Sequence, residues 1–277
     1  MYDIVFKRRM RMKKYYSSIG IPTCAEVKIQ YGKENGIEDY WKEIIAIEDT
    51  QKRYERIDQF VDMMSNNKSN NGFFAHDDCI EIRAIGNKFT LDDNTIYHMF
   101  FDNIKNIVQD YQANNIVKSD ESIIFKAIGK TEKEYFGGMG ANRKRRQDLT
   151  AVEITDDDYI VPSIKALKGQ NCSLCTERAA ISHNLWLLTG RQSYYINSAS
   201  THFENVSNQY RNDGHCFNIV EYGGKFRLCD FAMDNYCGEF KENPIDTMLS
   251  GRPLNIERGK GINYPGTYAN ADKVMTK

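Results

Sequence analysis

Long apolar runs are missing from this sequence. No stretch of its 277 residues approaches ~20 consecutive apolar positions, so nothing in it reads as a membrane span. The basic start, MYDIVFKRRMRMKKYY, is not followed by the apolar segment that a secretory signal needs. An excess of charge is missing too: 37 Lys+Arg stand against 38 Asp+Glu, which gives no electrostatic case for nucleic acid. The local basic clusters at Lys7 to Lys14 and Arg143 to Arg146 read as solvated surface. No internal repeat is visible, and the only low-complexity patch, SNNKSNNG at 65–72, reads as a polar loop. A disulfide framework is absent as well. The seven cysteines (24, 79, 172, 175, 216, 229, 237) are odd in number and irregular in spacing, and a chain this long can bury a core without staples. They suggest a reducing compartment with local thiol or metal chemistry. A cytoplasmic protein is the expectation, and one exported through a dedicated secretion machine has the same composition.

Helical periodicity is present instead. Trp41, Ile44, Ile45, Tyr54, Ile57, Phe60, Val61 and Met64 predict one or two amphipathic helices over 39–64. CIEIRAI, after the polar loop, alternates as a strand does. Ile96, Met99, Phe100, Ile104, Ile107, Val108 and Tyr111 predict a helix from about Asp93 to Tyr111, with acidic residues at its start. The glycine-rich and basic FGGMGANRKRRQD at 136–148 lacks the strand before and the helix after that a phosphate loop requires, and reads as a connection. The expected organisation is a mostly helical region over 1–155 and a mixed α and β domain over 156–277.

Within NCSLCTERAAISHNLWLLTG (171–190), two cysteines stand three positions apart ahead of good helix formers, and Gly190 is placed as a left-handed cap. Cys175 falls at the helix start. Unpaired N–H groups and the positive dipole end favour a thiolate there, and the same groups suit an oxyanion. Cys172 lies a turn earlier and lacks part of that help. From these residues alone, a buried cysteine acting as a small hydrophobe is the commoner case.

The segment GHCFNIVEYGGKFRLCDFAMDN (214–235) changes the balance. Its YGGK centre predicts a two-residue hairpin with Tyr222 opposite Lys225 and Ile219 opposite Leu228. One face then reads His215, Phe217, Ile219, Phe226, Leu228, Asp230, and the other Cys216, Asn218, Val220, Tyr222, Arg227, Cys229. The first face is the more apolar and is expected to pack inward with the cysteine across from it. His215 and Asp230 are diagonal neighbours there, ~7–8 Å apart along the backbone, which a carboxylate and an imidazole span. A buried carboxylate needs such a partner. Asp230 is suited to orient His215, whose other nitrogen is suited to take the proton of a cysteine.

With CTERAA, HCF and LCDFAMDN in this order, the sequence resembles the transglutaminase-like superfamily of cysteine enzymes, relatives of the papain-like folds, over about residues 168 to 236. The resemblance implies an α+β fold in which a buried cysteine helix packs on an antiparallel sheet. It also implies a catalytic set of Cys175 as nucleophile, His215 as general base and acid, and Asp230 as the orienting group. Phe217 stands where the family commonly has tryptophan, and Gln170 is a candidate oxyanion donor. His183 and His202, the latter expected in a loop, read as structural or surface residues. The implied activity is acyl transfer on amide bonds of a protein or peptide through a thioester, with hydrolysis (protease or glutamine deamidase) favoured over transglutamination. No cofactor, no metal, no nucleic acid and no membrane span belong to this reading.

Two alternatives stand beside it. A zinc module would use Cys172 and Cys175 with two of Cys216, Cys229 and Cys237, although a second compact C-x-x-C knuckle is missing. A redox reading pairs Cys172 with Cys175, as a dithiol or as a disulfide that silences an enzyme.

Overall fold

In a computed structural model of the chain, the residues described are 40–66, 73–76, 79–82, 87–137, 149, 163–204, 209–232, 236–240, 243–249, 254–256 and 266–269. Within β3 and β4, residues 197–204 and 209–215 are described by their backbone alone. Of the expected connection at 136–148, residues 138–148 lie outside the described residues, as do the division at 155 and the basic cluster at 7–14, while Phe136 ends a helix.

The stripe over 39–64 forms two helices, α1 (Tyr40–Ala46) and α2 (Thr50–Asn66). Asp49 breaks the run and restarts it: its Oδ1 accepts the N–H of Lys52 at 2.9 Å, as an N-cap does. Arg53 is buried on the inner side of α2, where Asp102 accepts from its Nη2 at 2.8 Å. A small antiparallel pair, β1 (Cys79–Ile82) and β2 (Asn87–Thr90), precedes α3 (Thr95–Ala113). Helix α3 starts where Asp93 Oδ1 accepts the Thr95 N–H at 2.9 Å and buries Ile96, Tyr97, Phe100, Phe101, Asn103, Ile104 and Ile107, close to the predicted span and stripe.

Helix α4 (Asp120–Phe136) was not predicted. Ser119 caps it, and Asp120 and Glu121 occupy its first turn, where negative charge suits the dipole. It ends at Gly137, whose φ of 81° suits glycine. A Cβ on that glycine would sit 2.0 Å from Oδ1 of Asn171, so only glycine lets the next turn come this close. The short α5 (Ile164–Leu167) leads into that turn.

The remainder is α6 (Cys175–Leu188) and a six-stranded sheet ordered β6-β5-β4-β3-β8-β7. Its strands are β3 (Gln192–Glu204), β4 (Gln209–Tyr222), β5 (Lys225–Asp230), β6 (Tyr236–Glu239), β7 (Leu254–Ile256) and β8 (Gly266–Ala269), with α7 (Pro244–Leu249) between β6 and β7. Every pairing is antiparallel. The fold is thus α+β, helices with an antiparallel sheet. Among the described residues no helix is long and apolar enough to cross a membrane.

The β4–β5 hairpin has the predicted register, with Tyr222 opposite Lys225 and Ile219 opposite Leu228. Gly223 and Gly224 form its loop with φ of 59° and 70°, the left-handed pair that a tight hairpin needs. Helix α6 lies across β3 and β4, and Gly190 ends it with φ of 73°. Residues from the N-terminal part hold it from the other side. Asn184 of α6 accepts the Phe74 N–H and donates to Phe74 O and the Tyr97 hydroxyl, each at 2.9 Å. Buried apolar side chains form one cluster from Trp41 to Ile245.

Two expectations need correction. The face of β4 that meets α6 is the one bearing Cys216, Asn218, Val220 and Tyr222. Asn218 donates to Ala179 O at 3.0 Å and accepts the Ser182 hydroxyl, and Tyr222 stacks on Trp186 at 6.5 Å. Phe217, Ile219 and Leu228, on the more apolar face, are buried as well. Hydropathy therefore does not choose between the faces, and the helix goes to the one that can satisfy its polar residues. His202 is also not in a loop: it lies within β3, opposite Arg211 of β4.

Candidate active site

Cys175 is the first residue of α6, after Leu174 in extended conformation. The other residues of the helix, Thr176 to Leu188, are all buried, whereas Cys175 is partly exposed. Two side chains of the same helix fix the loop that presents it. Glu177, fully buried, turns back to accept the Leu174 N–H at 2.7 Å. Arg178 donates through Nε to Ser173 Oγ at 2.9 Å and lies over the Phe136 ring at 5.4 Å. The loop is also laced to the end of α4: Gly169 N–H donates to Tyr135 O at 2.8 Å and Asn171 N–H to Phe136 O at 2.9 Å. Four hydrogen bonds thus hold residues 169–174, the loop that presents Cys175.

Cys216 of β4 touches it. Burial, then the hydrogen bond and charge of Cys175, push the Cys216 thiol well above its ordinary range, Tyr195 acting the other way and Glu177 adding to the rise. Cys216 therefore remains a thiol that donates to Cys175. A hydrogen bond donated to a sulfur favours its thiolate, as does the helix start.

Asp230 ends β5 and is 1% exposed, and its Oδ1 accepts the Ala232 N–H at 3.1 Å. Its surroundings connect it to the start of α6 through Glu132 of α4. Glu132 is fully buried, and neither of its oxygens has a hydrogen-bond partner among the described residues. Its Oε2 lies 3.6 Å from Arg178 Nη1, an ion-pair distance too long for a hydrogen bond. Burial pushes Glu132 up to about 8 despite the Arg178 charge, and the nearby Asp230 carboxylate contributes to the rise. Asp230 and Arg178 therefore flank one buried acid. Phe231, next in the chain, packs on Phe125 of α4 at 4.9 Å.

His215 lies in β4 opposite Ser198 of β3, immediately before Cys216, and its side chain is outside those described. In register it belongs to the row of Phe217 and Ile219, as Asp230 does through Leu228, and not to the row of Cys216 that meets Cys175, so the cysteine does not lie across from the His215 face as expected. Gln170 is partly exposed and its amide donates to Lys168 O at 3.3 Å. Cys172 is buried. His183 is buried with Nδ1 at 3.0 Å from Ser193 Oγ, consistent with a structural residue.

The four cysteines of a zinc module are not gathered. Cys175 is paired with Cys216, while Cys229 Sγ lies 3.9 Å from Cys237 Sγ on the next strand. Among the described residues no group of three or more His, Cys, Asp or Glu side chains is arranged to hold a metal ion.

Sequence reasoning missed Glu132, Arg178 and Cys216 as parts of this site. Glu177 carried a readable signal, since an acid three residues past the cap position marks a side chain folded back onto the backbone. Glu132 and Arg178 carried a weaker signal, charges on helix faces that have to be buried. Comparison with protein-family models, with curated proteins and with solved structures finds no match for this chain.

Proposed function

We propose that this chain is a cysteine-dependent acyl-transfer enzyme of the transglutaminase-like, papain-related kind, acting on amide bonds of a protein or peptide. Cys175 is the nucleophile, His215 the general base and acid, and Asp230 the group that orients the imidazole. The observation that carries the reading is the partly exposed Cys175 at the start of an otherwise buried helix, in contact with Cys216, the β4 residue that follows His215. Asp230 shares its register row with His215, and it reaches the surroundings of Arg178, one turn beyond Cys175. Cys216, which touches Cys175, belongs to the other row, so the reading requires the His215 imidazole to reach Cys175 past the edge of that face.

The chemistry follows from these positions. The Cys175 thiolate attacks the amide carbonyl, and first-turn N–H groups of α6 are suited to receive the oxyanion. The C–N bond breaks as His215 protonates the leaving amine or ammonia, leaving a thioester on Cys175. His215 then takes a proton from water, the hydroxide adds to the thioester, and the C–S bond breaks to release the acid and the thiolate. Water as acceptor makes the enzyme a protease or a glutamine deamidase, and an amine acceptor would make it a transglutaminase. The hydrogen-bonded loop that presents the nucleophile supports catalysis, because the attacking atom is held rather than left to search.

Mass spectrometry of protein substrates incubated with wild type and with Cys175→Ala tests the proposal. Chain cleavage, ammonia loss with water gain, or a crosslink, present with wild type and absent with the variant, is the expected result. A modification that survives in the variant removes Cys175 from the chemistry.

A further inference from the structure

Away from Cys175, a second pair of thiols lies on the far strands of the sheet. Cys229 of β5 and Cys237 of β6 are directly opposite one another in the antiparallel ladder. Opposed residues of such a ladder have backbone positions about 4.5 to 5.5 Å apart, within the span that a disulfide bridges. Their sulfurs are 3.9 Å apart and hydrogen-bonded, so closing to a covalent bond needs a side-chain adjustment and no movement of the strands. The two are not equivalent: Cys229 is buried and Cys237 is exposed.

We propose that Cys229 and Cys237 form a peroxide-responsive dithiol in which exposed Cys237 reacts first and buried Cys229 resolves it into a cross-strand disulfide. The asymmetry of the pair suits that order. Its hydrogen bond with Cys229 holds Cys237 below the ordinary thiol range, against the effect of burial and with help from Arg227. Burial, then the same hydrogen bond, pushes Cys229 well above that range. Either thiol can donate the hydrogen bond between them, and exposure sets the order: Cys237 is the sulfur that a peroxide reaches.

A hydroperoxide supplies the oxidising power. The Cys237 thiolate attacks one peroxide oxygen, an S–O bond forms, the O–O bond breaks, and hydroxide leaves to be protonated as water. Cys229 then gives up its proton and attacks the sulfenic sulfur. The S–S bond forms, the S–O bond breaks, and a second water leaves. In total, two thiols lose two electrons and two protons, and the peroxide is reduced to two waters. The bond ties β6 to β5 one residue before Asp230, but its formation is independent of whether Cys175 is a catalyst.

The sequence makes the test direct. Trypsin cleavage after Arg227 and Lys241 places both cysteines in one peptide, Leu228 to Lys241, while Cys172 and Cys175 fall together in Gly169 to Arg178 and Cys216 in Asn212 to Lys225. The native full-length chain is treated with a small excess of hydrogen peroxide, quenched, alkylated in denaturant, digested and weighed. The expected result is the Leu228 to Lys241 peptide unalkylated and lighter by two hydrogens, restored to the doubly alkylated form when dithiothreitol precedes alkylation. Cys237→Ser, an exposed and nearly isosteric change, should leave that peptide singly alkylated at Cys229. The proposal is overturned if the wild-type peptide stays doubly alkylated. It is equally overturned if Cys237 is recovered as a sulfinic acid beside an alkylated Cys229, or if either cysteine is found joined to another peptide or a second chain.

Discussion

Helices α3 and α6 solve the same problem in opposite ways. In α3 one side is buried and the other, including Asn106, Gln109 and Asp110, faces outward, so its polar residues need no particular neighbour. In α6 everything after Cys175 is buried, and most of its polar residues are met by named groups. Glu177 holds Leu174, Arg178 holds Ser173, Ser182 binds Asn218, His183 meets Ser193, and Asn184 bridges Phe74 and Tyr97. The difference shows that a helix wrapped on all sides is positioned by polar pairs, because dispersion and apolar burial have little directional preference. A helix fixed in rotation and translation is a suitable mount for a reactive atom at its end.

Changes in the two helices put this contrast at risk, beginning with the largest expected effect. If α6 were only scaffold, removing its partly exposed terminal thiol would change little. Cys175→Ala is instead expected to lower acyl-transfer activity by at least ~10³-fold while thermal unfolding stays near wild type. Equal turnover by the variant removes the functional half of the contrast.

Glu132 comes next, because it lies against α6 with no hydrogen-bond partner among the described residues. Its folded value of about 8 exceeds the ordinary 4.5, so the unfolded chain releases this proton first as pH rises. The native state then binds more protons than the unfolded one, and stability falls across the interval from 4.5 to about 8. Glu132→Gln removes that fall, which amounts to at most about 5 kcal/mol. Urea midpoints of wild type and variant measured over that interval should diverge as pH rises, and parallel curves would contradict the burial of a neutral acid.

Asn184→Ala deprives a buried N–H, a buried carbonyl and the Tyr97 hydroxyl of their partner, at a cost of about 3 kcal/mol. Denaturant unfolding at one pH reads it. On the outward side of α3, Asn106→Ala should stay within about 0.5 kcal/mol, and alanine's helix propensity favours a small gain. A loss comparable to that of Asn184→Ala would mean that the outer side of α3 is covered by something specific.

The same contrast decides what could be read from the sequence. Helix α3 was legible because burial on one side writes a 3.6-residue period, and the hairpin because two glycines leave few alternatives. The helix start at Cys175 and the cap at Gly190 were legible for similar local reasons. Helix α4 was not: Gly129 and Glu132 both fall on its buried side and interrupt the stripe that Ile124, Ala127, Ile128 and Tyr135 would otherwise draw. Strand β3, rich in serine, asparagine and threonine, showed no apolar alternation and led to His202 being placed in a loop. The face of β4 that meets α6 was hidden for a deeper reason. Both faces are buried there, and the choice rests on Asn218 meeting Ser182 and Ala179, a long-range fit that no local pattern encodes.

The only two tryptophans, Trp41 and Trp186, are both enclosed, at 1% and 0% exposure. Trp41 lies beneath the Arg191 guanidinium at 5.8 Å, and Trp186 stacks on Tyr222 of the hairpin. The chain thus carries its own pair of optical reporters, one on α1 and one on the helix that bears Cys175. Replacing either indole with phenylalanine isolates the emission of the other, and comparing the red shifts of the two variants on heating reveals whether α1 and α6 come apart together.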